Sequence, residues 1–485
     1  MSSRLLQIAA LLDELGRSNG GGGATEAERR GRGQVFTPPG LADAVCRLVI
    51  GPETRTVLDP AAGDGAFLRA ARGLAPTATL VGFERDAAVA RTCRRRVADA
   101  KIHVAEALLG APRLAKVSAV VGNPPFVRSI RLREADPTLW AALRGAMHAT
   151  SHGEWDLYGA FLERSLDWLA PEGRVALIVP SRWLTARWAA PLRGYLATRG
   201  AMRAVIDLGE TQLFAGVLTY PSIVEMAAAA TTAPMRLVRK VDGAWRDDAV
   251  DVGALGEAPW RPAMTVTARR SGGSSTARTL GEVAIIAKGT GTNADGVFVL
   301  PAARVRGRWL ESGEVTIEAA AARPCWRGRD VGAAATAWCI VPYVDGALLP
   351  WESLRARWPR TAAYLESQRP RLEARERGRF VGDRFHAYGR PQNLRFLLDA
   401  TPKLIVPDVV RAPRAWIDDT GGLVLDSAYA LRPRPDAPAR WRRIEALHAL
   451  MTSPELTAWL VHASVPLRGD YRRIKTAYLA PMPLP

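Results

Sequence analysis

The stretch Val57-Leu-Asp-Pro-Ala-Ala-Gly-Asp-Gly-Ala-Phe-Leu68 constrains this chain more than any other, because a strand, a glycine turn and a helix start follow one another without interruption. Gly63 and Gly65 lack a Cβ, so the turn can take positive φ and a ligand can approach its backbone closely. A dinucleotide-binding fingerprint would place a third glycine where this chain has Leu68. That argues against a pyrophosphate on the helix N-terminus and for a smaller nucleoside cofactor. The next β-rich run, Thr79-Leu-Val-Gly-Phe, ends in Glu84, nineteen residues past Gly65, where a carboxylate can accept from both ribose hydroxyls.

Around that turn, short β-rich runs alternate with longer helical ones from Gly33 to about Met226, the pattern of an α/β sheet covered by helices. The expected strands are Thr56–Leu58, Thr79–Phe83, Lys101–Val104, Val117–Val121, Arg174–Val179, Arg203–Asp207 and Ser222–Met226. The expected helices include Leu41–Val49, Ala66–Arg72, Ala87–Ala98, Leu157–Leu169 and Ala189–Arg199. A helix over Leu5–Leu15 and the glycine run Gly20–Gly23 form an N-terminal segment, residues 1–32. A polar, small-residue stretch at 266–278 separates a first domain, 33–265, from a second, 279–485.

Charge divides unevenly between the halves. Residues 1–265 carry 33 basic and 27 acidic groups, net +6, whereas 266–485 carry 33 and 21, net +12. A polyanionic partner for the C-terminal half is the natural expectation. The four cysteines form no Cys-x-x-Cys pair and are expected as reduced thiols of a cytoplasmic protein. The N-terminus lacks the features of a secretory signal, and no apolar run approaches the ~20 residues of a membrane span. His148 and His152 are four apart, but no Glu-x-x-His or Cys accompanies them, so no metal site is expected.

The fourth expected strand leads into Asn123-Pro-Pro-Phe126, at the carboxyl edge where α/β proteins build their sites. The residue types suit one chemistry. An exocyclic or amide nitrogen has a delocalised lone pair and is a poor nucleophile. If the Asn123 side-chain oxygen and the Pro124 carbonyl both accept from an N–H2 group, they favour a more tetrahedral nitrogen whose lone pair can point at an electrophile. Pro125 stiffens the turn, and Phe126 offers a face on which a planar group can stack.

With these residues in place, the chain resembles the gamma-class, TaqI-like N6-adenine DNA methyltransferases that use S-adenosyl-L-methionine. Gln34-Val-Phe-Thr-Pro-Pro39 is similar to the opening motif of that class, Asp59, Gly63 and Gly65 to its cofactor loop, and Glu84 to its ribose acid. Glu106 stands where the class usually has an aspartate for the cofactor's adenine amine, and Phe126 where a tyrosine is commoner. Asp156-Leu-Tyr158, Val179-Pro-Ser181 and Gly209-Glu-Thr-Gln-Leu-Phe214 also resemble segments of the class. So do Ala287–Asn293, Arg323–Asp330, Ala387–Gln392 and Thr401–Pro407 in its target-recognition domain.

The resemblance implies a class I methyltransferase fold, α/β and Rossmann-like with a seven-stranded sheet, followed by a C-terminal target-recognition domain. It implies Asn123, Pro124, Pro125 and Phe126 as catalytic residues, with Phe126 and Phe214 stacking on the two faces of a flipped base. Implied cofactor contacts are Phe36, Thr37, Pro38, Asp59, Ala61, Gly63, Gly65, Glu84, Glu106 and Asn123. The implied partners are double-stranded DNA and a separate restriction endonuclease or defence-system subunit, with no membrane.

Three other readings need weighing at this level. The same tetrapeptide serves amines of RNA and of protein glutamine. A fused nuclease would need a Pro-Asp followed by acid-x-Lys, and the only acid-x-Lys, Asp99-Ala-Lys101, falls inside the cofactor domain. A non-catalytic DNA-binding protein could also keep this fold.

Overall fold

The computed structural model describes residues 2–18, 37–110, 115–209, 211, 213, 220–241, 244–260, 278–332, 335, 337–464, 466–467 and 471–485. The chain divides into two compact units, Met1–Gly273 and Ser274–Pro485. Most of the expected linker at 266–278, and the glycine run Gly20–Gly23, lie outside the described residues.

The first unit is built on one nine-stranded sheet. Its strands are β1 (Thr56–Asp59), β2 (Thr79–Phe83), β3 (Lys101–His103), β4 (Val117–Gly122), β5 (Leu169–Pro180), β6 (Met202–Asp207), β7 (Pro221–Ala227), β8 (Met235–Val241) and β9 (Ala244–Val250). They lie in the order β3-β2-β1-β4-β5-β7-β6-β8-β9. The pairings from β3 to β5 are parallel, and β7 is antiparallel to both neighbours. All seven expected strands are present and form the core of the sheet. The sequence reading stopped at Met226 and missed β8 and β9, which pair antiparallel and extend that core at one edge. Alternating arginines and aspartates in this pair, such as Arg236 beside Asp247 at 2.7 Å, mask its apolar period.

Why the sheet is buried on both sides can be read along its strands. Leu58, Val120, Val175 and Leu177 enter one apolar cluster, while their neighbours Val57, Ala119, Val121, Ala176 and Ile178 enter another. Successive side chains point to opposite faces, so a continuous apolar run serves both. On the second face lie α1 (Ser2–Ser18) and α2 (Pro39–Val49). Leu5, Ile8, Ala9 and Leu12 bury the inner stripe of α1, and Asp13 holds Lys240 of β8 at 2.7 Å. Pro39 opens α2 at a position where a missing N–H costs nothing.

The remaining helices that frame the site are α3 (Ala66–Leu74), α4 (Ala87–Arg96), α5 (Ser129–Ala135), α6 (Pro137–Leu143), α7 (Leu157–Trp168) and α8 (Ala190–Arg199). The Asp86 carboxylate accepts from the backbone of Ala88 and Val89 and caps α4, which fixes the chain just past Glu84.

The second unit is made of small sheets. One has the order Ala284–Lys288, Ala428–Pro433, Lys403–Pro407, Trp416–Asp418; another runs Val299–Pro301, Ala337–Ile340, Ala322–Trp326, Leu423–Val424. Lys403 and Asp418 are register partners on neighbouring strands, fully buried, with Nζ and Oδ2 2.8 Å apart. Among the described residues, no helix is long and apolar enough to cross a membrane.

Candidate active site

The glycine turn forms as its residues require. β1 ends at Asp59, Gly63 and Gly65 take φ of 54° and 90°, and Gly65 caps α3. The two glycines serve different ends. A Cβ on Gly63 would meet nothing closer than 4.0 Å, leaving room for a ligand, whereas one on Gly65 would lie 2.9 Å from Cys93 Sγ. A side chain at Gly65 would therefore collide with α4.

Asp59 lies beneath this turn. It is fully buried, its Oδ1 accepts from Ala61 N at 3.1 Å, and Oδ2 has no partner among the described residues. Burial pushes its carboxyl up to about 8, and the nearby Glu84 and Asp64 push the same way against the Ala61 hydrogen bond. The chain ahead of the Asn123-Pro-Pro-Phe126 tetrapeptide must leave it space: a Cβ on Gly122 would sit 2.8 Å from Asp59 Oδ1. The sequence reading did not single out Gly122, whose need appears only when β1 and β4 are side by side.

A cleft of about 1130 Å³ opens at the carboxyl ends of β1, β2 and β4. Of the expected residues, Ala61, Gly63, Glu84, Glu106, Asn123, Pro124, Pro125 and Phe126 line it. Thr37, Pro38 and Gly65 instead line a second pocket of about 390 Å³, with Arg69 and Arg96. Asp59 lines neither, and Phe36 and Phe214 lie outside the described residues.

Glu84 is held from both sides. Its Oε2 accepts from Gly63 N at 3.1 Å and its Oε1 from Asp86 N at 2.8 Å, which locks the carboxylate against the turn. Glu106 accepts from Leu108 N at 3.1 Å, and burial raises its carboxyl above the usual range although Arg85 stands 3.5 Å away. Arg85 also reaches Asp136, 2.5 Å away at the start of α6. One guanidinium thus joins the ends of β2 and β3 to the α5–α6 junction across the cleft mouth, a link that sequence spacing gave no sign of.

The tetrapeptide is fixed by a short antiparallel contact. Leu157 N donates to Val127 O at 2.9 Å and Ser129 N to Trp155 O at 2.7 Å. This gives the Asp156-Leu-Tyr158 segment a physical role. Tyr158 is fully buried and stands edge-on to Phe126, ring centroids 6.2 Å apart at 84°, with Trp188 edge-on behind it. Asn123 Nδ2 donates to Thr37 Oγ1 at 3.2 Å, and Asn123 Oδ1 is buried with no hydrogen-bond partner among the described residues. Asn123 lines the cleft, and its buried oxygen is an acceptor left without a donor among the described residues.

Residues 109–214, which contain this tetrapeptide, match the Eco57I restriction-modification methylase family. Over longer spans the chain is similar to type II methyltransferases. The type II methyltransferase M.XhoI of Xanthomonas vasicola is 25% identical over 398 residues, covering 76% of this chain and 68% of that protein. M.TthHB8I of Thermus thermophilus is 34% identical over 192 residues, but the match covers 38% of this chain and 42% of that relative. In architecture, the type IIL restriction-modification enzyme MmeI, solved in complex with DNA, covers 99% of this chain and 67% of its own at a TM-score of 0.57 and 15% identity. That likeness extends over both units of the chain and supports the fold alone.

S-adenosyl-L-methionine is the cofactor the cleft fits. The cleft presents a hydrogen-bonded carboxylate at Glu84, a second carboxyl at Glu106 and an open backbone at Gly63. In the second unit, two of the segments singled out in the sequence pair with each other, and two bond the stretch from Val424 to Ser427. Gly291 and Arg390 exchange backbone hydrogen bonds of 3.0 and 2.8 Å, Thr290 N donates to Val424 O, and Gly328 N donates to Ser427 Oγ. The four cysteines are buried and free, and His148 is held by Glu163 at 2.8 Å.

Proposed function

We propose that this protein methylates the N6 amine of adenine in duplex DNA, at a specific site, as the modification component of a restriction-modification or phage-defence system. The observation that carries this reading is Asn123 Oδ1, a buried acceptor without a partner on the wall that also presents Phe126, Glu84 and Glu106. A planar amine entering the cleft supplies the missing donor.

Adenine in a duplex is stacked and paired, so it must first rotate out, at about a few kcal/mol. Phe126, braced by Tyr158, offers a stacking face, and such stacking contributes about 1–3 kcal/mol per base. Asn123 Oδ1 and the Pro124 carbonyl accept the two N–H bonds of the amine, drawing its lone pair out of the ring. S-adenosyl-L-methionine supplies an electrophilic methyl on a sulfonium. The amine held by these two carbonyls would supply the electron pair of the new N–C bond and then give up one proton to water, with the sulfur keeping the pair of its former bond to the methyl. The two carbonyls stabilise the positive charge that builds on nitrogen, a preorganised electrostatic effect with no strong base. The cationic C-terminal half, with net +12 from residue 266 onward, would neutralise phosphates and set register.

Asn123→Ala removes one of the two acceptors. Turnover should fall roughly 10²- to 10³-fold, the loss found when one preorganised group is deleted, while cofactor binding by calorimetry persists. Tritium transfer from labelled cofactor to DNA, RNA and protein in parallel identifies the acceptor. Label appearing in RNA or protein and not in DNA rejects the substrate assignment, and an Asn123→Ala protein with parental turnover rejects the mechanism.

A further inference from the structure

We propose that Thr37 is a positioning residue: its hydroxyl holds the outer end of the Asn123 amide so that the oxygen end faces the methyl acceptor. The inference rests on the amine-methylating role of Asn123 and adds to it a residue in the other pocket wall. The contact links segments 86 residues apart. Thr37 is 8% exposed, and its Oγ1 is 3.2 Å from Asn123 Nδ2.

The two ends of an amide are almost the same size but opposite in hydrogen bonding. Turned the wrong way, Asn123 would present N–H2 to a substrate N–H2, donor against donor, and nothing would draw out the lone pair. Packing alone cannot choose between the two orientations. The Thr37 hydroxyl can choose once the acceptor amine is present. It takes a hydrogen bond from Nδ2, so the inward Oδ1 orientation satisfies both ends of the amide at once.

The anchor is stiff. Thr37 precedes Pro38 and Pro39, whose rings fix their φ, and Pro39 starts α2, whose Leu41, Ala42, Val45 and Leu48 are buried against the sheet. Asn123 follows β4 directly, in the middle of the same sheet. The hydrogen bond therefore spans two rigid elements. Thr37 and Pro38 line the smaller pocket while Asn123 lines the cleft, so the threonine acts on the reaction through the amide.

The test compares Thr37→Val, which keeps the shape and loses the hydroxyl, with Thr37→Ser, which keeps the hydroxyl. The readouts are single-turnover methylation at saturating DNA and cofactor, and cofactor affinity by calorimetry. Thr37→Val should slow the methyl-transfer step roughly 10- to 100-fold, the range for a misplaced reacting group, with cofactor Kd within about threefold of the parent. Thr37→Ser should recover the rate to within about fivefold. In an Asn123→Ala background, Thr37→Val should add little, because residues that act as a unit are not additive.

A Thr37→Val protein at the parental rate, beside an inactive Asn123→Ala, overturns the inference and leaves the proposed function standing. So does a Thr37→Val defect confined to cofactor Kd, which would make Thr37 a cofactor contact only. Loss of activity in Thr37→Ser as well overturns it in favour of a steric role. An active Asn123→Ala is the separate failure of the underlying mechanism.

Discussion

Asp59→Asn isolates the electrostatic cost at the base of the cofactor turn. In the folded protein the Asp59 carboxyl titrates near 8, against 3.8 for the unperturbed group, chiefly because it is fully buried. A carboxyl whose folded pKa is raised binds its proton more tightly in the folded chain than in the unfolded one. The folded state therefore gains from it fully below about pH 4 and loses that gain as pH rises through about 8. The slope approaches 1.36 kcal/mol per pH unit between those limits, so several kcal/mol are at stake by alkaline pH.

An asparagine can still accept from Ala61 N through its oxygen, but its Nδ2 would occupy the place of Oδ2, which has no partner among the described residues. That stranded donor costs about 1–3 kcal/mol. A protonated Asp59 strands its own O–H in much the same way, so Asp59→Asn should gain on the parent steadily from pH 5 upward and be the more stable protein at pH 9 by about 2 kcal/mol or more. Urea unfolding of the cofactor-free protein at pH 5, 7 and 9, followed by circular dichroism, measures both. Parallel curves, with one variant below the other by a constant amount at all three pH values, would falsify the claim that Asp59 is held protonated by burial.

Two further outcomes follow from other buried groups. Glu106 is also raised above the usual carboxyl range by burial, so if its charge serves the cofactor, affinity in the parent should weaken on acidification at a higher pH than an exposed glutamate would dictate. Glu106→Gln, which keeps the acceptor for Leu108 N, should bind about tenfold more weakly at neutral pH, a loss typical of a hydrogen bond to a charged group, with a flat pH profile; an unchanged titration curve would remove Glu106 from the cofactor site. Lys403→Met strands the fully buried Asp418, which also accepts from Thr420 N, Thr420 Oγ1 and Gly422 N. Breaking such a pair costs about 3–5 kcal/mol, visible as a lower urea midpoint, and a cost below about 1 kcal/mol would mean that the pair is solvated.

Local sequence carried a large share of the fold because its signals are local. The runs that became β1 to β7 are short and apolar on both faces, the helices between them have a buried stripe, and Gly63 and Gly65 mark a turn that needs positive φ. The chemistry of Asn123-Pro-Pro-Phe126 was legible for a similar reason, since amide, carbonyl, stiff corner and ring are consecutive. The β8–β9 pair escaped because its alternating charges hide a period that only its partners β6 and the first helix complete.

What remained hidden depends on residues far apart in sequence meeting in space. No spacing rule connects Thr37 to Asn123, Arg85 to Asp136, or Lys403 to Asp418, because these contacts are fixed by how helices and strands stack. Gly122 shows the same limit: its missing side chain matters only because β1 delivers Asp59 alongside. The linear chain specified which chemical groups would stand at the carboxyl ends of the strands. Tertiary packing determined which end of an amide is tied down, which carboxyl loses its water and which guanidinium spans the cleft, since desolvation and hydrogen-bond geometry are properties of surroundings rather than of residue types.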